Sequence, residues 1–414
     1  MKLPAFSLLV FLAGACAVHG AEPTAIDAKL KESFAVAHQE RVAVIGIGDS
    51  NQRFGGHGYS AFMAEALNQQ FGCYGSELVL YHQWQEKDQP LHPAAPQELA
   101  SKAFSYWYLS PGEREAVSWK HGAVSIPADH PLGVQGNLRF HLTYGAFQCE
   151  GGTFRPAIRK DLPPWNLLKS EASPLHSGTD TPSHLVQYTM DLPADPERNY
   201  PVRFMVSPLP EQVTGEFLAA SASCENTDKQ SGLSYSTLYA QGGQSLYDML
   251  TTFRQTGSER LEEFFTRIRE SLNGRKTCVI MITSGLNDRH EPEKSAGPSS
   301  SSPEGYSDNL EGIVQTLQTA WVNAGGSPQT IHFAFMPSHA LADPDDTQLI
   351  AYRAAARNLA ARLPNASMID LSILVPYQEM AANHYYDKGT STNPHLDKSG
   401  YKAIATALAS KLTE

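Results

Sequence analysis

Val42-Ala43-Val44-Ile45-Gly46-Ile47-Gly48-Asp49-Ser50-Asn51 is a short apolar run that stops abruptly on Gly-Asp-Ser. An apolar run of this length, bounded by turn residues, reads as a buried strand. Phe62, Met63, Ala66 and Leu67 recur at helical spacing over about Tyr59 to Phe71, which reads as the helix that follows. A strand feeding a helix is the first unit of an open α/β sheet, and such sheets bind ligands at the carboxyl edge of their strands. Ser50 stands at that edge. A serine hydroxyl alone is a weak nucleophile, so a base and an oxyanion site must come from elsewhere in the chain.

The same texture returns near Leu238. Helices are expected around Ser245–Thr256 and Ser258–Leu272, then a strand over Thr277–Thr283. An amphipathic helix follows, with Leu310, Ile313, Val314, Leu317 and Trp321 in phase. Next come a strand over Ile331–Met336, a helix near Ile350–Leu363 and a strand over Ser367–Leu374. The last helix starts at Lys398 and carries Tyr401, Ile404, Ala405, Leu408 and Leu412 on one face. Alternating elements of this length predict a mostly parallel, doubly wound sheet with helices on both faces.

Between the two α/β stretches the period changes. Leu138, Phe140, Leu142 and Tyr144 alternate with polar residues, as do Val186, Tyr188, Met190 and Leu192, and Val202, Phe204 and Val206. Period-two runs separated by Pro, Gly and Asp predict half-buried antiparallel strands. The fold class is therefore α/β, a three-layer α/β/α parallel sheet interrupted by an inserted antiparallel β-sandwich-like domain. The expected division is 22–75 and 236–414 for the α/β domain and 76–235 for the insert.

Residues 1–21 read as a secretory signal: Lys2, the apolar core Phe6 to Ala13, then small residues with cleavage near Gly20 or Ala21. A lipoprotein signal ending at Cys16 is the rival reading. The apolar core is too short to span a bilayer, which predicts a secreted or periplasmic protein without stable membrane insertion. The 414-residue chain carries a formal net charge of -11, which argues against nucleic acid and anionic membrane surfaces as partners. Beyond Cys16 the cysteines are Cys73, Cys149, Cys224 and Cys278; Cys278 sits in an apolar run and reads as a buried thiol, and Cys149 with Cys224 is the favoured bridge. Metal-type Cys and His spacing is absent from the sequence, and no cofactor is expected.

Four stretches carry residue types suited to acyl-ester hydrolysis: Gly48-Asp49-Ser50, Gly242-Gly243-Gln244-Ser245, Gly285-Leu286-Asn287-Asp288 and His395-Leu396. Ser50 would attack the carbonyl, with His395 taking its proton and returning it to the leaving alcohol. The Ser50 N–H, the Gly243 N–H and the Asn287 amide are the candidate oxyanion donors. Gly243 suits the role because no side chain blocks its N–H at the start of a helix.

At these residues the chain resembles the SGNH (GDSL-type) hydrolases, named for a Ser, Gly, Asn and His in four ordered blocks, matched here by Ser50, Gly243, Asn287 and His395. The resemblance covers about 20–75 and 236–414. It implies a flavodoxin-like three-layer fold around a five-stranded parallel sheet, and a metal-free serine esterase. SGNH members with β-accessory domains often act on acetylated sugars, which implies a short-acyl ester, O-acetyl above all, on a small molecule or polysaccharide. A longer-chain lipase or thioesterase, an acyltransferase and an inert carbohydrate-binding protein on the same fold are the alternatives.

One position departs from the family pattern. The family places an Asp three residues before the His, where this chain has Thr392. Asp387, eight residues before His395, is the candidate third member, and a backbone carbonyl orienting the His is the alternative. Asp397 reads as a cap for the last helix, Arg289 and His290 as loop residues, and Tyr106, Trp107 and Tyr108 as sandwich core or edge.

Overall fold

The computed structural model describes residues 25–52, 58–75, 79–80, 107–109, 125–146, 152–181, 184–205, 214–215, 217–240, 242–290, 299–339, 346–387 and 395–414. The signal-like segment, Cys16, Tyr106, Cys149 and Thr392 lie outside them. The principal strands are β1 (Arg41–Gly48), β2 (Cys73–Gly75), β3 (Leu138–Ala146), β4 (Ala157–Lys160), β5 (His184–Leu192), β6 (Val202–Met205), β7 (Phe217–Asn226), β8 (Gly232–Ala240), β9 (Thr277–Ser284), β10 (Ile331–Pro337) and β11 (Ala366–Met368). The helices are α1 (Ala28–Ala35), α2 (Tyr59–Phe71), α3 (Leu246–Thr256), α4 (Ser258–Ser271), α5 (Pro303–Asn323), α6 (Thr347–Arg362), α7 (Leu371–Leu374), α8 (Tyr377–Ala382) and α9 (Lys398–Thr413).

Strands β2, β8, β1, β9, β10 and β11 lie side by side in that order and run parallel. Leaving aside the three-residue β2, the order β8-β1-β9-β10-β11 is that of a flavodoxin-like doubly wound sheet, whose direction of winding reverses between β1 and β9. All eight residues of β1 are buried. Successive side chains of a strand point to opposite faces, so Ala43, Ile45 and Ile47 pack with α3, α4, α5 and α6 in one core. Val42 and Val44 pack with α1, α2 and α9 in the other. Two helical layers thus cover the two faces of one sheet.

The antiparallel strands continue this sheet. β7 pairs with β2, β3 pairs with β7, and β5 closes the edge. Leu138, Phe140, Leu142, Met190 and Leu192, as read from the alternation, face a third core that β6 and β4 also line with Val202, Phe204 and Ile158. Phe140 stacks on Phe204 at 5.4 Å between ring centroids, joining the large sheet to the smaller one that holds β4 and β6. A buried ion pair sits at the junction: Arg41 Nη1 at the start of β1 donates to Glu225 Oε2 of β7 at 2.8 Å. Arg41 also donates to the carbonyls of Lys229, Ser271 and Asn226.

Two elements differ from the sequence expectation. The strand expected over Ser367–Leu374 ends at Met368, because the Asp370 side chain accepts from Ser372 N–H and caps the short helix α7. β8, which lies directly beside β1, does not stand out in the sequence: its serines and threonine hide the apolar pattern of a buried strand. Trp107 lies in a short strand paired with β7. Cys278 is fully buried, and burial pushes its thiol well above the ordinary range. Among the described residues no helix is long and apolar enough to cross a membrane.

Candidate active site

Three of the four sequence blocks leave the carboxyl ends of three adjacent parallel strands. Gly48 pairs with Ala240 on one side of β1, and Ile47 with Ile282 on the other. Ser50, Gly243 and Asn287 follow within five residues of those rungs, on the two sides of the point where the winding reverses. Ser50 opens a 3-10 turn, Ser50–Gln52, directly after β1. That turn fits only because β1 ends in glycines. A Cβ on Gly46 would fall 2.1 Å from Gln52 Nε2, and one on Gly48 would fall 2.8 Å from Gln52 Cβ and 2.9 Å from Thr283 Cβ.

Gln52 is the buried keystone beneath the turn. Its Nε2 donates to Tyr235 Oη at 2.8 Å and Ser60 Oγ at 3.0 Å, and its Oε1 accepts from Thr283 Oγ1. Asp49, 2% exposed, accepts from the Asn51 backbone N–H at 2.8 Å through Oδ1 and from Asn287 Nδ2 at 3.2 Å through Oδ2. Asn51 Oδ1 in turn accepts from Tyr401 Oη of α9 at 2.6 Å.

His395 Nε2 lies 2.8 Å from Ser50 Oγ, although 345 residues separate them. The histidine adjoins an isolated antiparallel bridge. Tyr386 bridges Leu396, Asp387 N–H donates to the His395 carbonyl at 3.1 Å, and Asp397 N–H donates to the Tyr385 carbonyl at 2.8 Å. Tyr386 and Leu396 are buried. Asp387 is thereby tied to His395 through the backbone. Asp397 caps α9, as its position in the sequence suggests, by accepting from Gly400 N–H at 2.7 Å.

Gly243 is exposed with φ at +75°, and a Cβ there would meet nothing within 4 Å. It precedes the capping box of α3, in which Ser245 and Asp248 exchange side-chain hydrogen bonds with each other's backbone N–H. The segments bearing Gly243 and Asn287 are joined by Asp288, 1% exposed. Its Oδ1 accepts from Leu246 N–H and its Oδ2 from Gly285 N–H, each at 2.8 Å. Burial raises this carboxyl from 3.8 to about 6 despite those bonds. Arg289 pairs with Asp346, the cap of α6, at 2.7 Å, which gives it a structural partner; the side chain of His290 lies outside the described residues.

Asp49, Asn51, Gln52, Asp288 and Tyr401 are parts of this assembly that the motif reading passed over. The signal for the first three was their place directly beside Ser50. Tyr401 shows in the sequence only as an apolar-face residue of α9, and its hydroxyl contact is visible only in three dimensions.

No protein-family model matches this chain, and no curated protein matches it. Among solved structures it is similar to a salicylyl-acyltransferase from a tetracycline biosynthetic pathway, at 15% identity and a TM-score of 0.30 over 81% of this chain and 93% of that one. It is also similar to a family two carbohydrate esterase from Clostridium thermocellum in complex with cellohexaose, at 10% identity and a TM-score of 0.29 over 70% and 98%. An α/β hydrolase from the metagenome of Lake Arreo is similar at 14% identity and a TM-score of 0.29 over 44% and 74%. Likeness at these identities and TM-scores assigns neither a family nor an activity.

Proposed function

We propose that the protein is an exported serine esterase of the SGNH type that removes short acyl groups, acetyl above all, from a carbohydrate. The observation that carries the reading is the 2.8 Å contact between Ser50 Oγ and His395 Nε2 at the carboxyl edge of the sheet.

In the first half-reaction Ser50 Oγ attacks the ester carbonyl as its proton passes to His395 Nε2. The oxyanion is met by the Ser50 N–H, the Gly243 N–H and Asn287 Nδ2. An amide nitrogen has two hydrogens, so Asn287 can keep its bond to Asp49 and turn the second to the oxyanion. The tetrahedral intermediate collapses as His395 gives its proton to the leaving sugar oxygen, leaving an acyl-serine. In the second half, water attacks that ester, its proton moves to His395, and the carboxylate leaves as Ser50 recovers the proton. Asp387, whose N–H bonds the His395 carbonyl, is the group assigned to orient the imidazole and stabilise its cation.

The signal-like first 21 residues support export. The acetyl-carbohydrate preference rests on the inserted β-strands and the sequence resemblance. The test is labelling by a fluorophosphonate probe together with hydrolysis of 4-nitrophenyl acetate, 4-nitrophenyl octanoate and acetylated xylan. Ser50→Ala should lose both labelling and turnover; retained turnover refutes the assignment, and faster octanoate cleavage refutes the short-acyl part. Acyl transfer to an added sugar in place of water would make the protein an acyltransferase.

A further inference from the structure

The amino-terminal edge of the parallel sheet, a full strand away from Ser50 and so roughly 25 Å distant, holds a cavity of about 460 Å³. β9 and β10 enter it with Thr277 and His332, α1 with Lys29, and the turn before β9 with Arg275. Its volume falls within the roughly 300–1,000 Å³ of ordinary small-molecule sites.

Two polar groups of its wall have no hydrogen-bond partner among the described residues, and one of them is buried. Thr277 is 6% exposed, and its hydroxyl is buried without a hydrogen-bond partner. His332 is 7% exposed. Its Nε2 lies 2.8 Å from Ser367 Oγ, which donates to Asp27 Oδ1 at 2.6 Å. Since the serine proton goes to Asp27, Nε2 must carry the hydrogen, and Nδ1 keeps a bare lone pair. That Nδ1 has no partner among the described residues. Burial lowers the His332 pKa to about 4, so the ring is neutral and the lone pair persists near neutral pH. Buried polar groups are as a rule paired, which makes the Thr277 hydroxyl an exception. At the rim, exposed Lys29 and Arg275 stand against Glu32 and leave one net positive charge.

We propose that this cavity is a second small-molecule site, independent of Ser50, for a hydroxylated monoanion the size of a sugar acid. A hydroxyl donates to His332 Nδ1 and exchanges a hydrogen bond with Thr277. A bare lone pair repels an anionic oxygen, so the carboxylate lies at the other end, against Lys29 and Arg275. Val314 and Leu363 offer apolar wall to the C–H face of the ring.

The experiment is calorimetric titration of the full chain with D-glucuronate, with glucose and acetate in parallel. Saturable glucuronate binding is expected, weaker for glucose, which lacks the charge, and for acetate, which lacks the hydroxyls. Lys29→Gln with Arg275→Gln, both at exposed positions, should weaken it about tenfold. Thr277→Val should weaken it while melting no lower than the parent, since it deletes an unpaired hydroxyl. Ser50→Ala should leave it unchanged. Absence of saturation by about 10 mM, equal binding of glucose, or indifference to the rim and Thr277 variants each overturns the proposal. Loss of binding in Ser50→Ala also overturns it.

Discussion

Asn287 Nδ2 donates to Asp49 Oδ2 at 3.2 Å, so the residue beside Ser50 fixes which end of the Asn287 amide is nitrogen. The bond spans 238 residues and joins the first block to the third across the point where the sheet reverses its winding. It converts a rotatable side chain into an oriented donor, which is what transition-state stabilisation requires.

Asn287→Ala should therefore lower kcat by about 10²–10³-fold with a smaller change in KM. Asp49→Ala should reproduce part of that loss. Steady-state kinetics on 4-nitrophenyl acetate reads both, and an Asp49→Ala enzyme with full kcat would show that Asn287 needs no such support.

Asp387 N–H donates to the His395 carbonyl at 3.1 Å. Asp387→Ala should cost roughly 10²-fold or more in kcat if it stabilises the imidazolium. A loss under twofold would hand that role to a backbone carbonyl.

The Asp288 carboxyl titrates near 6 in the folded chain against 3.8 in its ordinary state. Between those values the native state binds more protons than the unfolded one, so this group's contribution to stability falls as pH rises from about 4 to about 6. Asp288→Asn lacks that slope. Relative to the variant, the parent should lose on the order of 2 kcal/mol over this window, as measured by denaturant unfolding. A constant difference across the window would mean that Asp288 is already ionised at pH 4.

Gly48 and Gly243 separate a packing glycine from a conformational one. Gly48→Ala brings a methyl to 2.8 Å from Gln52 Cβ and should cost about 1–3 kcal/mol of stability. Gly243→Ala meets no neighbour within 4 Å, and only its φ of +75° opposes it, at about 1–2 kcal/mol. Its larger effect should fall on kcat, through the displaced N–H. Thermal melts alongside kinetics distinguish the two; equal kcat for parent and Gly243→Ala would remove Gly243 from the oxyanion site.

The parallel core was legible because its strands and helices are long and strongly periodic: β1, α2, α5 and β10 end within a few residues of where their patterns end. β8 was not, because a strand buried in the sheet can carry Thr237 when a neighbouring side chain, Ser60, bonds its hydroxyl. The spacing of Ser50, Gly243, Asn287 and His395 pointed to one edge. The contacts that steady them, Asp49 to Asn287 and Tyr401 to Asn51, join residues hundreds of positions apart and leave no periodic trace. Asp387 was reachable only as a candidate, since its backbone bond to the His395 carbonyl is a tertiary contact that no local pattern announces.

The union of β7 with β2 and β8, locked by Arg41 and Glu225, bears on how this molecule can come apart. Deleting β3 to β7 would bare the flank of β2 and strand a buried guanidinium, at about 3–5 kcal/mol for the broken pair alone. The strand that ends before Ser50 and strands β3 to β7 therefore belong to a single cooperative unfolding unit, and their amide protons should become exchangeable together. A gene fragment lacking the middle of the chain would yield no smaller folded protein.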